Sequence, residues 1–301
     1  MRKMALLAVL FWSTLLMAAG PGCASVEPPL ATFRAEAAEV HLTFTAASEH
    51  NQVVTDLSER DFAVLRDGAP VNQVTGFENL KDAPLSLVVL ADISESMRKM
   101  MPLENFAKTY LSQSLSQAND SVSFLDFGSI VHPAGMIKGG SHLTSMYDSA
   151  FDVVRRERPV KSRQAVLLIT DGGDNYSLHS VDDVIAAAQK SDVAFYVLDT
   201  DPWNDLAERD LHRLATETGG RYYVVERRKQ ISVAVQEIES ELRNTYMVTF
   251  RADNARNGVH QVALRANDKN LKFFYRTTYY QGGPVTARAR TDYLPMTSPA
   301  P

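Results

Sequence analysis

Between Val40 and Phe77 the chain alternates apolar and polar positions. Val40, Leu42 and Phe44 are separated by polar neighbours, and Phe62-Ala-Val-Leu-Arg leads into Asp67-Gly68. A period of two marks half-buried strands, and Asp-Gly between apolar runs is the residue pair of a tight hairpin turn, so Val71 to Phe77 is expected to return antiparallel. From Leu85 the texture changes. Short apolar runs (Leu85 to Ala91, Val122 to Phe127, Ala165 to Ile169, Val193 to Leu198, Tyr222 to Val225) alternate with segments of helical period. Leu103, Phe106, Ala107, Tyr110 and Leu111 share one such face behind Pro102; Val184, Ile185 and Ala188 share another, as do Leu211, Leu214 and Ala215 before Gly219-Gly220. A last helix carries Ile231, Val235, Ile238 and Leu242. Strand and helix in repeated alternation predict a mostly parallel, doubly wound sheet covered on both faces. The period then returns to two in Tyr246 to Phe250, Val259 to Leu264 and Leu271 to Tyr280.

Neither β-rich flank has enough strands for a stable sheet of its own. Four amino-terminal candidates (residues 31–82) and three carboxyl-terminal ones (246–280) together make a sandwich of about seven strands, the count of an immunoglobulin-like sandwich, with the α/β segment 83–245 inserted between its halves. Residues 281–301, with four prolines and no apolar period, read as an unfolded tail.

The amino terminus has a different character. Arg2 and Lys3 precede an uncharged run from Met4 to Ala19 that ends in small residues and Pro21. The run is short for a membrane span, and its basic start and small-residue end are those of an export signal over residues 1–24. Cys23, the single cysteine, is either a lipid-attachment point or is removed by cleavage after Ala24; Gly20-Pro21-Gly22 departs from the usual lipobox. Either route makes the mature chain extracytoplasmic, periplasmic or secreted. One cysteine excludes an intramolecular disulfide framework. The 31 basic residues against 36 acidic ones give a net charge of −5, which becomes −7 once Arg2 and Lys3 are removed, so a broad nucleic-acid surface is not expected.

In an open parallel sheet, ligands bind beyond the carboxyl ends of the strands. The strand Leu85 to Ala91 runs into Asp92-Ile-Ser94-Glu-Ser96, and the strand ending at Ile169 runs into Thr170-Asp171-Gly172-Gly173-Asp174; between them stands Gly139-Gly140-Ser141-His-Leu-Thr144-Ser-Met-Tyr147-Asp148. Alternate residues of an extended turn project to one side, so Asp92, Ser94 and Ser96 can face one crevice, and Thr144 and Asp171 add two oxygens from neighbouring loops. Five hard oxygen donors suit Mg²⁺, with Ca²⁺ or Mn²⁺ as alternatives. Only two of the five carry charge, so an open coordination position favours a carboxylate from another molecule.

At these residues the sequence resembles the von Willebrand factor A (VWFA) domain, whose metal-ion-dependent adhesion site uses an Asp-x-Ser-x-Ser turn, a threonine and a later aspartate. Asp92, Ser94, Ser96, Thr144 and Asp171 match those places, and the resemblance spans residues 85 to about 245. The flanks are also similar to an exported bacterial group, the acidobacterial-type VWFA-related proteins, through Leu57-Ser-Glu-Arg-Asp61-Phe62, Arg66-Asp67-Gly68 and Glu241-Leu-Arg-Asn-Thr-Tyr246. Two positions depart from the pattern. Glu95 replaces the small residue between the serines, adding a charge that either stays at the rim or folds inward as a ligand. Gly139-Gly140-Ser141 imitates the family's Gly-Gly-Thr, so Ser141 stands as a substitute for Thr144.

The resemblance implies a non-enzymatic binding module whose metal bridges to an Asp or Glu of a protein partner. The alternatives are an envelope protein with a purely stabilising metal and a phosphatase of the haloacid dehalogenase type with Asp92 as nucleophile. The latter lacks its second aspartate, because Ser94 stands there. Gly-x-Ser-x-Gly, His-Glu-x-x-His and the glycine-rich phosphate and dinucleotide loops are absent.

Overall fold

In the computed structural model, residues 39–114, 120–136, 140–156, 163–201, 203, 205–252 and 257–281 are described. The export signal, Cys23 and the tail beyond Gln281 lie outside them. The amino-terminal alternation forms β1 (Glu39–Ser48), β2 (Phe62–Arg66), β3 (Ala69–Pro70) and β4 (Val74–Asn79). Asp67 and Gly68 both take positive φ, 48° and 81°, and turn β2 into β3 as their side chains permit. The returning strand is brief. Only Ala69 and Pro70 pair with β2, and Val74–Asn79 crosses to the other sheet.

The α/β segment follows as β5 (Leu85–Asp92), α1 (Met101–Ser114), β6 (Ser121–Phe127), β7 (Val131–Pro133), α2 (Met146–Arg155), β8 (Arg163–Thr170), α3 (Val181–Ser191), β9 (Val193–Asp199), α4 (Asp205–Glu217), β10 (Tyr222–Val224) and α5 (Arg228–Arg243). Its sheet has the order β10-β9-β8-β5-β6-β7, parallel except for β7. β5 lies at the centre and is buried along its whole length, which is why its sequence is nearly all apolar, with only Ser86 and the terminal Asp92 polar, rather than alternating. Alternate residues of β5 serve opposite cores: Val88 and Leu90 pack with α2, α3 and α4, whereas Leu87, Val89 and Ala91 pack with α1 and α5. Ser180 and Asp183 close a capping box at the start of α3, and Asp192 ends that helix with φ 53°.

The chain leaves β5 for β6 on one side and later comes back to β8 on the other. The loops after β5 and β8 therefore diverge at their carboxyl ends, the position where such sheets bind ligands.

The last strands are β11 (Tyr246–Arg251), β12 (Gly258–Ala266), β13 (Leu271–Tyr275) and β14 (Thr278–Gln281). They interleave with the amino-terminal ones in two antiparallel sheets, β13-β1-β11-β4 and β14-β12-β2-β3. One core lies between the sheets: Leu42, Phe44, Tyr246, Val248 and Phe250 from the first meet Phe62, Val64, Val262 and Leu264 from the second. Phe44 and Phe62 meet edge to face with centroids 5.3 Å apart. The sandwich has eight strands rather than about seven, because the run Leu271 to Tyr280 breaks at Arg276-Thr277 and its halves enter different sheets.

That break is where the sandwich meets the α/β segment. Arg276 is buried, donates to the carbonyls of Gln189 (2.8 Å) and His41, and lies 3.2 Å from Asp192, which also accepts from Thr43 at 3.0 Å. Gly219, with φ 92°, approaches the same link so closely that a Cβ would stand 2.8 Å from the Tyr275 carbonyl carbon. The described residues from Glu39 to Gln281 accordingly belong to one compact unit.

Candidate metal centre

Asp92 is the last residue of β5 and is fully buried. Its Oδ1 accepts the Ser94 N–H at 2.8 Å, which curls the chain into the turn, and its Oδ2 accepts the Thr170 hydroxyl at 2.9 Å from the end of β8. Burial pushes the Asp92 carboxyl up to about 7; the Asp171 carboxylate adds to the rise, and the hydrogen bonds from Ser94 and Thr170 oppose it. Two acids are thus gathered at the ends of adjacent strands with no basic group among the causes acting on Asp92. A bound cation would relieve that opposition.

The serines are brought together as their spacing predicts. Ser94 Oγ and Ser96 Oγ stand 3.0 Å apart. An octahedral ion with metal–oxygen bonds of 2.0–2.1 Å has neighbouring ligand oxygens about 2.9 Å apart, and one with the longer bonds of Ca²⁺ has them about 3.4 Å apart. The two serine oxygens, hydrogen-bonded to each other, stand at the spacing of neighbouring Mg²⁺ ligands, and the proton between them would turn outward on binding.

The third loop lies against this turn. Glu95 N donates to Ser141 O at 2.9 Å and Ser141 N to Ile93 O at 3.3 Å, so residues 140 and 141 run alongside the turn like a short strand. Gly140 permits that approach, since a Cβ there would sit 2.9 Å from Glu95 Cα. The Ser141 hydroxyl is already committed, donating to Leu143 O at 2.6 Å. Thr144 is held differently. Its N–H donates to Asn175 Oδ1 at 2.8 Å and its carbonyl accepts from Asn175 and Tyr176, which ties it to the loop after β8, while its hydroxyl makes no hydrogen bond with the described residues. Thr144 and Ser141 both stand beside the turn, the first with its hydroxyl unbonded among the described residues and the second with its hydroxyl turned toward Leu143.

Asp171 follows β8 and is half-buried, with Oδ1 accepting from Gly173 N at 3.1 Å. Gly172, with φ 81°, leaves room for α4, because a Cβ there would come within 2.5 Å of Ala207 Cβ. Glu95 does not fold inward. Its carboxylate reaches His142 at 2.6 Å and Arg98 at 3.3 Å, and it stays on the rim.

The structure thus joins Asp92, Ser94 and Ser96 through one turn, sets Asp171 on the neighbouring strand end and anchors Thr144 to the Asp171 loop. Sequence reasoning gave no role to Thr170, which fixes Asp92, or to Asn175, which fixes Thr144. Among the described residues no three His, Cys, Asp or Glu side chains converge as a metal cluster. The donor set is two carboxylates and three hydroxyls, which is oxygen chemistry for a hard cation and offers nothing to a soft one.

Residues 134–241 match the family model of the von Willebrand factor type A domain. The curated proteins contain no match. Among solved structures, an aerotolerance-related membrane protein of Bacteroides fragilis is 19% identical, with 51% of this chain and 98% of that one covered and a TM-score of 0.38. A von Willebrand factor type A protein of Catenulispora acidiphila is 10% identical over 82% of this chain and 74% of that one, with a TM-score of 0.42. Proximal thread matrix protein 1 from the mussel byssus, solved with a zinc-occupied MIDAS motif, is 14% identical over 53% and 48%, with a TM-score of 0.41.

Proposed function

Taking as premise an α/β core of the von Willebrand factor type A kind, we propose that the chain is an exported binding module. Asp92, Ser94, Ser96, Thr144 and Asp171 hold Mg²⁺, and the ion takes an acidic side chain of a protein partner. The observation that carries this reading is the serine pair at 3.0 Å beside two carboxylates at the switch point of the sheet. Mg²⁺ against two carboxylates leaves no excess negative charge to repel a third, so a partner carboxylate can displace a bound water.

Both oxygens of Asp92 are occupied by donors from Ser94 and Thr170. That arrangement favours a positioned ligand over the free carboxylate a phosphatase nucleophile requires. The uncharged run behind Arg2 and Lys3 supports export, and the Leu57-to-Phe62 and Glu241-to-Tyr246 motifs support kinship with the exported VWFA-related group.

The test is affinity capture from an envelope extract on the immobilised chain, in Mg²⁺ and in EDTA, with Asp171→Ala as control. A partner retained only by the wild-type chain in Mg²⁺ supports the proposal. A metal that raises the melting temperature while capture is the same in both buffers would instead indicate a purely stabilising ion.

A further inference from the structure

The exposed large apolar side chains of the α/β segment are not scattered. Leu178 (94% exposed), Trp203 (84%), Leu206 (70%) and Tyr176 (56%) lie in loops or a first helical turn after the carboxyl ends of β8 and β9, Ile130 lies in the turn after β6, and Leu143 is two residues beyond Ser141, whose backbone bonds to the Asp92-to-Glu95 turn. That is the end of the sheet where the five candidate ligands stand. Among the described residues of the segment, Met136, just after the antiparallel β7, and Val233, within α5, are exposed elsewhere. Apolar surface gathered at one place on a protein marks an interaction site rather than ordinary exposure.

The loops that carry these residues are bonded to one another and to the candidate centre. Asn175 and Tyr176 donate to the Thr144 carbonyl, next to Leu143. The Leu178 N–H is held by Asp148, four residues beyond Thr144. The first turn of α4, with Leu206, packs on Gly172, next to Asp171. Some charges nearby are paired: Glu95 with Arg98 and His142, and Arg209 with Asp210. Around the candidate centre the rim offers apolar and aromatic area beside a few exposed charges, Lys99 after Ser96 and Asp201 before Trp203.

Resting on the metal-bridged reading above, we infer that this face recognises a protein segment whose acidic residue is flanked on both sides by large apolar side chains. The acid meets the metal, and its neighbours bury against Trp203, Leu206, Tyr176 and Leu178. An acid set among charged or small polar residues would find the centre but leave the aromatic and aliphatic rim in water.

Short immobilised peptides test this directly. Three sets are compared in Mg²⁺ and in EDTA: Asp between two large apolar residues, Asp between two serines, and Asn between two large apolar residues. The first set is expected to bind in Mg²⁺ at least about tenfold more tightly than the second, as removal of buried aromatic and aliphatic anchors usually costs. The double variant Trp203→Ala, Leu206→Ser, both positions being exposed, should erase that difference while Mg²⁺ titrates as in the wild type. Mg²⁺-dependent binding that ignores the flanking residues, or a flank preference that survives the double variant, overturns this inference and leaves the metal centre standing. No binding of the first set overturns it as well. Binding indifferent to both Mg²⁺ and the Asp-to-Asn change overturns the metal-bridged reading itself.

Discussion

Arg276→Met measures how firmly the inserted α/β segment is fastened to the sandwich. Arg276 is 8% exposed and donates to two carbonyls on different elements, Gln189 in α3 and His41 in β1. Methionine keeps much of the aliphatic volume but leaves both carbonyls without that donor. Each hydrogen bond from a charged donor contributes roughly 1.5–3 kcal/mol. The Asp192 ion pair adds little, about 0.5 kcal/mol, because Asp192 is nearly a third exposed and keeps its bond from Thr43. Arg276 Nε is buried without a partner, and removing it returns about 1 kcal/mol. The net expectation is a loss of about 2.5–5.5 kcal/mol. At 2–4 °C per kcal/mol for a chain of this size, the melting temperature should fall by about 5–22 °C. Differential scanning calorimetry with urea unfolding reads both quantities. One cooperative transition, shifted down as a whole, is expected in the variant. A loss below about 1 kcal/mol, or a wild-type trace with two separate transitions, would show that the two parts are not fastened through this residue.

Gly219→Ala at the same junction should destabilise by at least about 1 kcal/mol in urea unfolding, because its φ of 92° disfavours any Cβ and the Tyr275 backbone stands 2.8 Å from where it would lie; an unchanged midpoint would contradict the close approach. Asp148 is the pH-dependent case. Partial burial pushes its carboxyl up, but the N–H groups of His179 and Leu178 and the His179 ring outweigh burial and hold it below the usual carboxylate range. A lowered folded value means that its stabilisation is complete above the unfolded value of about 4 and is lost as pH falls through the folded value. Asp148→Asn should therefore be less stable than wild type at pH 7, with a deficit that shrinks as pH falls below about 4, and a deficit that stays constant or grows in acid would contradict this.

Much of this architecture is legible in the sequence because local pattern and tertiary burial agree. The nearly unbroken apolar runs of β5, β8 and β9 are what a strand covered on both faces requires, and Asp67-Gly68 specifies its own turn. The pattern fails where a strand changes sheets. Leu271 to Tyr280 keeps its period of two through Arg276-Thr277, so nothing in the period marks the crossing; only partners distant in sequence, Gln189 and Asp192 for Arg276, reveal it. At the candidate centre, the spacing of Asp92, Ser94 and Ser96 is informative because one turn places all three. Thr170 and Asn175 act through a hydroxyl donated to a distant strand and an amide oxygen accepting a backbone N–H. Neither has a spacing signature. The direction of Glu95 was equally hidden, since it depends on His142 from another loop.

Isothermal titration of Mg²⁺ into the chain, alongside Asp92→Ala and Asp171→Ala with folding checked by circular dichroism, tests most directly whether the oxygens of Asp92, Ser94, Ser96, Thr144 and Asp171 hold a divalent cation. One Mg²⁺ per wild-type chain and no measurable binding in either variant, with the sheet retained in both, is the expected result. Mg²⁺ binding of wild-type strength in both variants would contradict it.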